Sequence, residues 1–337
     1  MTRVITISFA HIVFLSALLA FGCSEPEPEV KSVRFVAGYK AQANLPLVAV
    51  YAAQEMGYFA EQGLEVDIQH SIGDSMNLLM GGEAHFVSAD AGYTLKLKSD
   101  PGLPIVAIAL FGQRGQQSFI SLSDSGISEP DDWEGKTFGY KGTIPPEYLA
   151  IVNSAQVDRS RIEEVRVGYD PRVLTEGQVD LLAVFKSNEP NIVRGLGFDV
   201  VAFDAADYGM QTMGLTYVTR EDFAEENPET ATRFLKATMK GMEYAFSNTE
   251  EALDFVMKYA EGEDREHMRY MMLEEKKDAT SSLTEQNGFG WMTSEQWQSF
   301  HDSLLEYEGL SNAVDVDSVF TDRFLDEIYE DGVLQWP

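Results

Sequence analysis

Val33-Arg34-Phe35-Val36-Ala37, followed by Leu45 through Met56 and then by Leu64-Glu65-Val66-Asp67-Ile68-Gln69, is the stretch that decides the fold. The outer two runs are short and rich in β-formers, which predicts strands, and the apolar run between them predicts a helix. The pattern repeats at once, with a helix over Asp74 to Met80 and a strand over His85 to Ala89. Such βαβ alternation predicts a parallel sheet covered by helices.

Working outward, Pro104 to Leu110 is one continuous apolar run, and Phe119-Ile120-Ser121-Leu122 follows at a distance suited to a strand that crosses into a second lobe. A second α/β series has expected strands at Thr137 to Tyr140, Glu164 to Val167, Val179 to Phe185 and Val200 to Phe203, with a helix from Pro145 to Gln156. Leu215 to Thr219 reads as a strand returning to the first lobe, and the rest reads as largely helical. Asn227-Pro228 is expected to cap and open a helix striped by Phe234, Leu235, Met239, Met242 and Phe246, and Thr293 to Gln296 has capping-box spacing. The expected division is lobe I over 33–121, lobe II over 122–214 and a return to lobe I over 215–337, with a ligand cleft between the lobes.

The 55 acidic against 25 basic side chains leave a formal charge of -30, which repels phosphate backbones, so nucleic acid is not an expected partner. At the N-terminus, Arg3 precedes an apolar run from Ile5 to Phe21 that ends in Gly22-Cys23 and an acidic, proline-rich stretch. The run is short for a membrane span, which needs about 20 apolar residues, and reads as an export signal. It resembles a bacterial lipoprotein signal: residues 1–22 would be removed, Cys23 lipidated to anchor the protein to a membrane, and 23–32 left as a tether. Cys23 is the sole cysteine, so neither a disulfide framework nor a cysteine metal site is expected.

Phosphate-loop, nucleophile-elbow and zincin motifs are missing, and the five histidines stand singly, so catalysis and metal binding are not expected; each histidine is given a surface or strand-end role. Candidate ligand contacts come from loops that follow strands. Tyr39 and Asn44 lie in the loop after the first strand. Asp90 and Tyr93 lie at a strand-to-helix junction where Asp90 either caps the helix, the commoner use, or accepts a ligand bond. Gln113 and Gln117 lie at the expected hinge with Arg114, which suits a surface charge equally well. Tyr140 opens a glycine-containing turn, Tyr140-Lys141-Gly142-Thr143, before a helix whose free N–H groups suit a polar ligand. Tyr169, Asn188 and Glu189 follow later strands, and Glu189 suits helix capping as well as it suits a ligand.

Tyr51-Ala-Ala-Gln-Glu-Met-Gly-Tyr-Phe-Ala-Glu-Gln-Gly-Leu-Glu-Val66, Gly168-Tyr-Asp-Pro-Arg172, Leu174-Thr-Glu-Gly-Gln-Val-Asp180, Asn188-Glu-Pro190 and Asp204-Ala-Ala-Asp-Tyr-Gly209 together resemble the thiamine-pyrimidine-precursor-binding proteins of ABC importers. The resemblance implies a type II periplasmic-binding-protein fold: two α/β lobes with a hinged ligand cleft. It further implies aromatic stacking on a heterocycle by Tyr39 and Tyr169, a polar contact from Glu189, no cofactor, an extracytoplasmic location, and an ABC permease and ATPase as partners. Relatives in that group take riboflavin, sulfonates or nitrate. A related fungal pyrimidine synthase is the enzymatic alternative, but its cysteine-rich iron motif has no counterpart after Cys23.

Overall fold

The computed structural model describes residues 31–337; the expected export signal and Cys23 lie outside the described residues. Ten strands build two five-stranded sheets. They are β1 (Lys31–Ala37), β2 (Leu64–His70), β3 (Phe86–Asp90), β4 (Ile105–Leu110), β5 (Gln117–Leu122), β6 (Thr137–Tyr140), β7 (Glu163–Arg166), β8 (Leu181–Phe185), β9 (Val200–Phe203) and β10 (Leu215–Arg220). The first sheet has the order β2-β1-β3-β10-β4 and the second β7-β6-β8-β5-β9. In each the fourth strand runs antiparallel to both neighbours, while β1 pairs in parallel with β2 and β3, and β6 with β7 and β8. That antiparallel strand is the first one laid down after each passage of the chain between lobes. The two sheets therefore share one plan, and the carboxyl ends of their parallel strands give on to a common cleft.

Two boundaries differ from expectation. The strand over 117–122 belongs wholly to the second sheet, where it pairs with β8 and β9, so the first passage lies at 111–116 and not after residue 121. Its Ser118 and Ser121 are buried, and each hydroxyl donates to a backbone carbonyl, of Phe203 and Ile127 respectively. The tether also ends sooner, because β1 begins at Lys31 with its N–H donating to the Gly63 carbonyl. The two passages touch back to back: Gly214 N–H donates to the Gly112 carbonyl at 2.9 Å, and a Cβ on Gly112 would stand 2.8 Å from the Gly214 Cα.

The Leu45–Glu55 helix is apolar nearly all round and buried from Leu45 to Ala53, as a helix between a sheet and another helix must be. Its outer cover is the Pro228–Ser247 helix, which lays Phe234 flat on Phe86, ring centroids 4.1 Å apart. Asn227 precedes Pro228 as expected but makes no side-chain cap. Trp133, Phe138 and Tyr148 stack as the aromatic core of lobe II; such pairs add about 0.5–1.5 kcal/mol each beyond their burial. The capping box at Thr293 is formed and opens the Ser294–Glu306 helix. That helix buries His301, whose Nε2 accepts the Val314 N–H at 3.1 Å, so this histidine is a core residue and not a surface one.

Candidate functional site

A cavity of about 350 Å³ opens between the lobes. Its first wall is built from the segments after β1 and β2, namely Gly38, Tyr39, Gln42 and Asn44, then Gly73, Ser75 and Met76, and from the end of β3 with the helix after it, Ser88, Ala89, Asp90 and Tyr93. The facing wall comes from residues after β6, β7 and β8, namely Lys141, Tyr169, Ser187, Asn188 and Glu189, and Leu215 and Met271 complete the lining. Strand ends gather the ligand-facing groups because each parallel strand hands its loop to the same edge of its sheet.

Gly38 permits the first wall to exist: its N–H donates to Ser88 Oγ at 3.1 Å, and a Cβ there would lie 2.5 Å from the Ser88 carbonyl oxygen. Asp90 caps the Ala91–Ser99 helix, accepting from the N–H groups of Gly92 (2.8 Å) and Tyr93 (3.2 Å). Burial nevertheless pushes its carboxyl up to about 6, against the lowering effect of those two bonds. Asp90 thus has the capping role, and the same residue lines the cavity.

Glu189 is 4% exposed at the first turn of the Glu189–Gly195 helix. One oxygen accepts from Lys141 Nζ and the other from the Phe185 N–H at 2.9 Å. Neither bond is a helix cap; the two hold the carboxylate in place in a residue that lines the cavity. Three exposed tyrosines share the cavity lining with it, Tyr39 at 42%, Tyr93 at 48% and Tyr169 at 77%.

Seven of the ten residues expected from sequence line the cavity: Tyr39, Asn44, Asp90, Tyr93, Tyr169, Asn188 and Glu189. Three do not. Gln113 is buried at the hinge, donating to the Trp291 carbonyl and accepting from Gln296, so its amide is consumed by the fold. Gln117 donates to the carbonyls of Ser118 and Val184 along its own sheet. Tyr140 turns back onto Phe138, ring centroids 6.0 Å apart. Arg114 is exposed, a surface charge.

Sequence reasoning missed Lys141, although it stood in the turn singled out for its glycine, and, while it expected the region after Thr219 to be largely helical, it singled out no residue of the Arg265–Ala279 helix. This helix bridges the lobes. Its Glu275 accepts from Leu45 N–H at 2.8 Å in lobe I and from Ser187 Oγ at 3.2 Å in lobe II, and burial pushes its carboxyl up to about 7. Asp278 accepts from Lys186 Nζ and from Gln116 Nε2, and His267 Nε2 lies 2.9 Å from Asn188 Oδ1. Nothing in the local pattern announced this, because each acid acquires its meaning from a partner some 90 residues or more away.

Two α/β lobes on one plan, joined by paired passages around an aromatic-rimmed cavity, make up the periplasmic-binding-protein fold. The aliphatic sulphonate-binding protein SsuA of Escherichia coli superposes with a TM-score of 0.65, covering 87% of this chain and 92% of that one at 14% identity. The chain belongs to the NMT1/THI5-like family, whose model matches residues 44–252. Among curated relatives, the riboflavin-binding protein RibY of Chloroflexus aurantiacus is 23% identical over 96% of this chain and 97% of its own. The formylaminopyrimidine-binding protein of Halalkalibacterium halodurans is 26% identical over 81% of this chain and 84% of its own.

Proposed function

We propose that this chain is the solute-binding lipoprotein of an ABC importer and that it captures a small, uncharged nitrogen heterocycle of the thiamine-pyrimidine type outside the cytoplasm. The observation that carries this reading is the lining of the cavity, where tyrosine rings surround a buried, oriented carboxylate. Tyr39, Tyr93 and Tyr169 would cover ring faces, and Glu189 would accept from an exocyclic amine. Two acids, Asp90 and Glu189, stand against one ammonium, Lys141, so a sulfonate or nitrate would meet more repulsion than attraction. The volume is near the small end of the range for ligand cavities, about 300–1,000 Å³, which favours one or two rings.

Riboflavin is the second reading, favoured by the near full-length similarity to RibY. The enzymatic reading is the weakest, since the cysteine-rich motif of the fungal synthases has no counterpart in a chain whose one cysteine is Cys23. Titration calorimetry with hydroxymethylpyrimidine, formylaminopyrimidine, riboflavin and an alkanesulfonate tests the ligand: pyrimidine binding is expected, and binding of riboflavin alone would replace the first reading by the second. The anchor is tested by fractionating cells that express the full chain or Cys23→Ser. The full chain is expected with membranes, and a correctly cleaved Cys23→Ser protein that stays there would refute lipidation of Cys23.

A further inference from the structure

Lys141 follows β6 directly, and the turn that carries it continues through Gly142, held at φ 70°. The side chain is 15% exposed, and its ammonium pairs with Glu189 while lying 5.6 Å from the centre of the Tyr169 ring. An ammonium has three donors, and Glu189 takes one of them. Glu189 in turn receives Lys141 and the Phe185 N–H, which leaves part of the acceptor capacity of about four lone-pair positions that a carboxylate offers. The wall therefore presents a donor and an acceptor side by side in a largely buried setting, where an unmatched polar group on a ligand is costly.

We propose that Lys141 is a specificity-determining residue: its Nζ donates to a ring nitrogen or ring carbonyl that sits next to the ligand N–H accepted by Glu189. The proposal rests on the heterocycle reading above and sharpens it, from a ligand that only donates to one whose edge carries a donor beside an acceptor. A neutral aminopyrimidine has such an edge in its amine and the adjacent unprotonated ring nitrogen. A protonated amidinium edge would set N–H against N–H at Lys141, and an acceptor-only anion would set oxygen against oxygen at Glu189. The Tyr169 face stabilises the ammonium in this position without using a donor.

The test pairs a protein change with a ligand change. Dissociation constants are measured for wild type and Lys141→Met with two probes, 4-amino-5-hydroxymethyl-2-methylpyrimidine and the aniline of the same shape in which CH replaces both ring nitrogens. Lys141→Met is expected to weaken the pyrimidine by about ten- to a hundredfold and to leave the aniline unchanged. Equal weakening of both probes would mean that Lys141 only supports the wall, and no weakening of either would mean that it does nothing for the ligand; both overturn the proposal while leaving the heterocycle reading intact. Failure of wild type to bind the pyrimidine or any other heterocycle with such an edge would overturn both. Should Lys141→Met unfold because Glu189 is stranded, the same comparison is made between Glu189→Gln and Lys141→Met/Glu189→Gln, again with a loss expected for the pyrimidine alone.

Discussion

Glu189 is the residue on which the ligand reading turns, and its surroundings set what its loss would do. A bond from a ligand to a charged group contributes about 1.5–3 kcal/mol, so Glu189→Gln should weaken pyrimidine binding by about ten- to over a hundredfold. Calorimetry on the purified variant checks this, and equal affinity of the two proteins would make Glu189 an anchor for Lys141 and the Phe185 N–H only. Glu275 is a different kind of acid, buried between the lobes with its carboxyl raised to about 7. In the unfolded chain it titrates near 4.3. Between about 4.3 and 7 the folded state holds a proton that the unfolded state has lost, so this group's contribution to stability is complete below that window and is lost as pH rises through it. Urea unfolding at pH 5 and pH 8 should show a smaller fall for Glu275→Gln than for wild type; parallel curves would remove Glu275 as the source.

At the scale of elements, the closest packing in lobe I is between the Leu45–Glu55 and Pro228–Ser247 helices. Gly241 makes it possible, since a Cβ there would stand 2.3 Å from the Ala49 carbonyl oxygen and 2.7 Å from the Ala53 nitrogen. Replacing a helix-interior glycine by alanine normally gains up to about 1 kcal/mol. Here the added methyl meets backbone that cannot step aside, and overpacking of this kind costs about 1–3 kcal/mol. Gly241→Ala should therefore lower the urea midpoint, and a raised midpoint would show that the helices separate freely. The helix 265–279 is the other element with a role beyond its own stability, because its bonds to Lys186, Ser187, Asn188 and Asn191 fall on the segment that carries Glu189.

For the whole molecule, the paired passages at 111–116 and 204–214 leave the lobes joined by two short segments in mutual contact, a hinge by construction. Saturating ligand should reduce the radius of gyration in solution scattering while circular dichroism stays constant. Unchanged scattering with a ligand that demonstrably binds would mean that the cleft is preformed. The bonds of Lys186, Ser187 and Asn188 to the 265–279 helix are where closure would be stabilised or released.

Every strand of the two large sheets was legible in the sequence, because alternation of short apolar runs with helices is a local property. The cleft-facing loops were legible for the same reason, since a loop after a parallel strand faces the cleft. Which of their residues line the cavity was legible only in part. Tyr140, Gln113 and Gln117 have the chemistry of a site, yet they are spent on a ring contact and on amide bonds within the fold. Lys141 has no such mark in sequence and gains its role from a carboxylate 48 residues away. Local periodicity and composition suffice for the two-lobed plan, the succession of strands along the chain and the acidic charge. Which polar side chains are satisfied by the protein, and which are left with a donor or acceptor for something else, emerges with the folded arrangement, because hydrogen-bond satisfaction depends on partners brought together by folding.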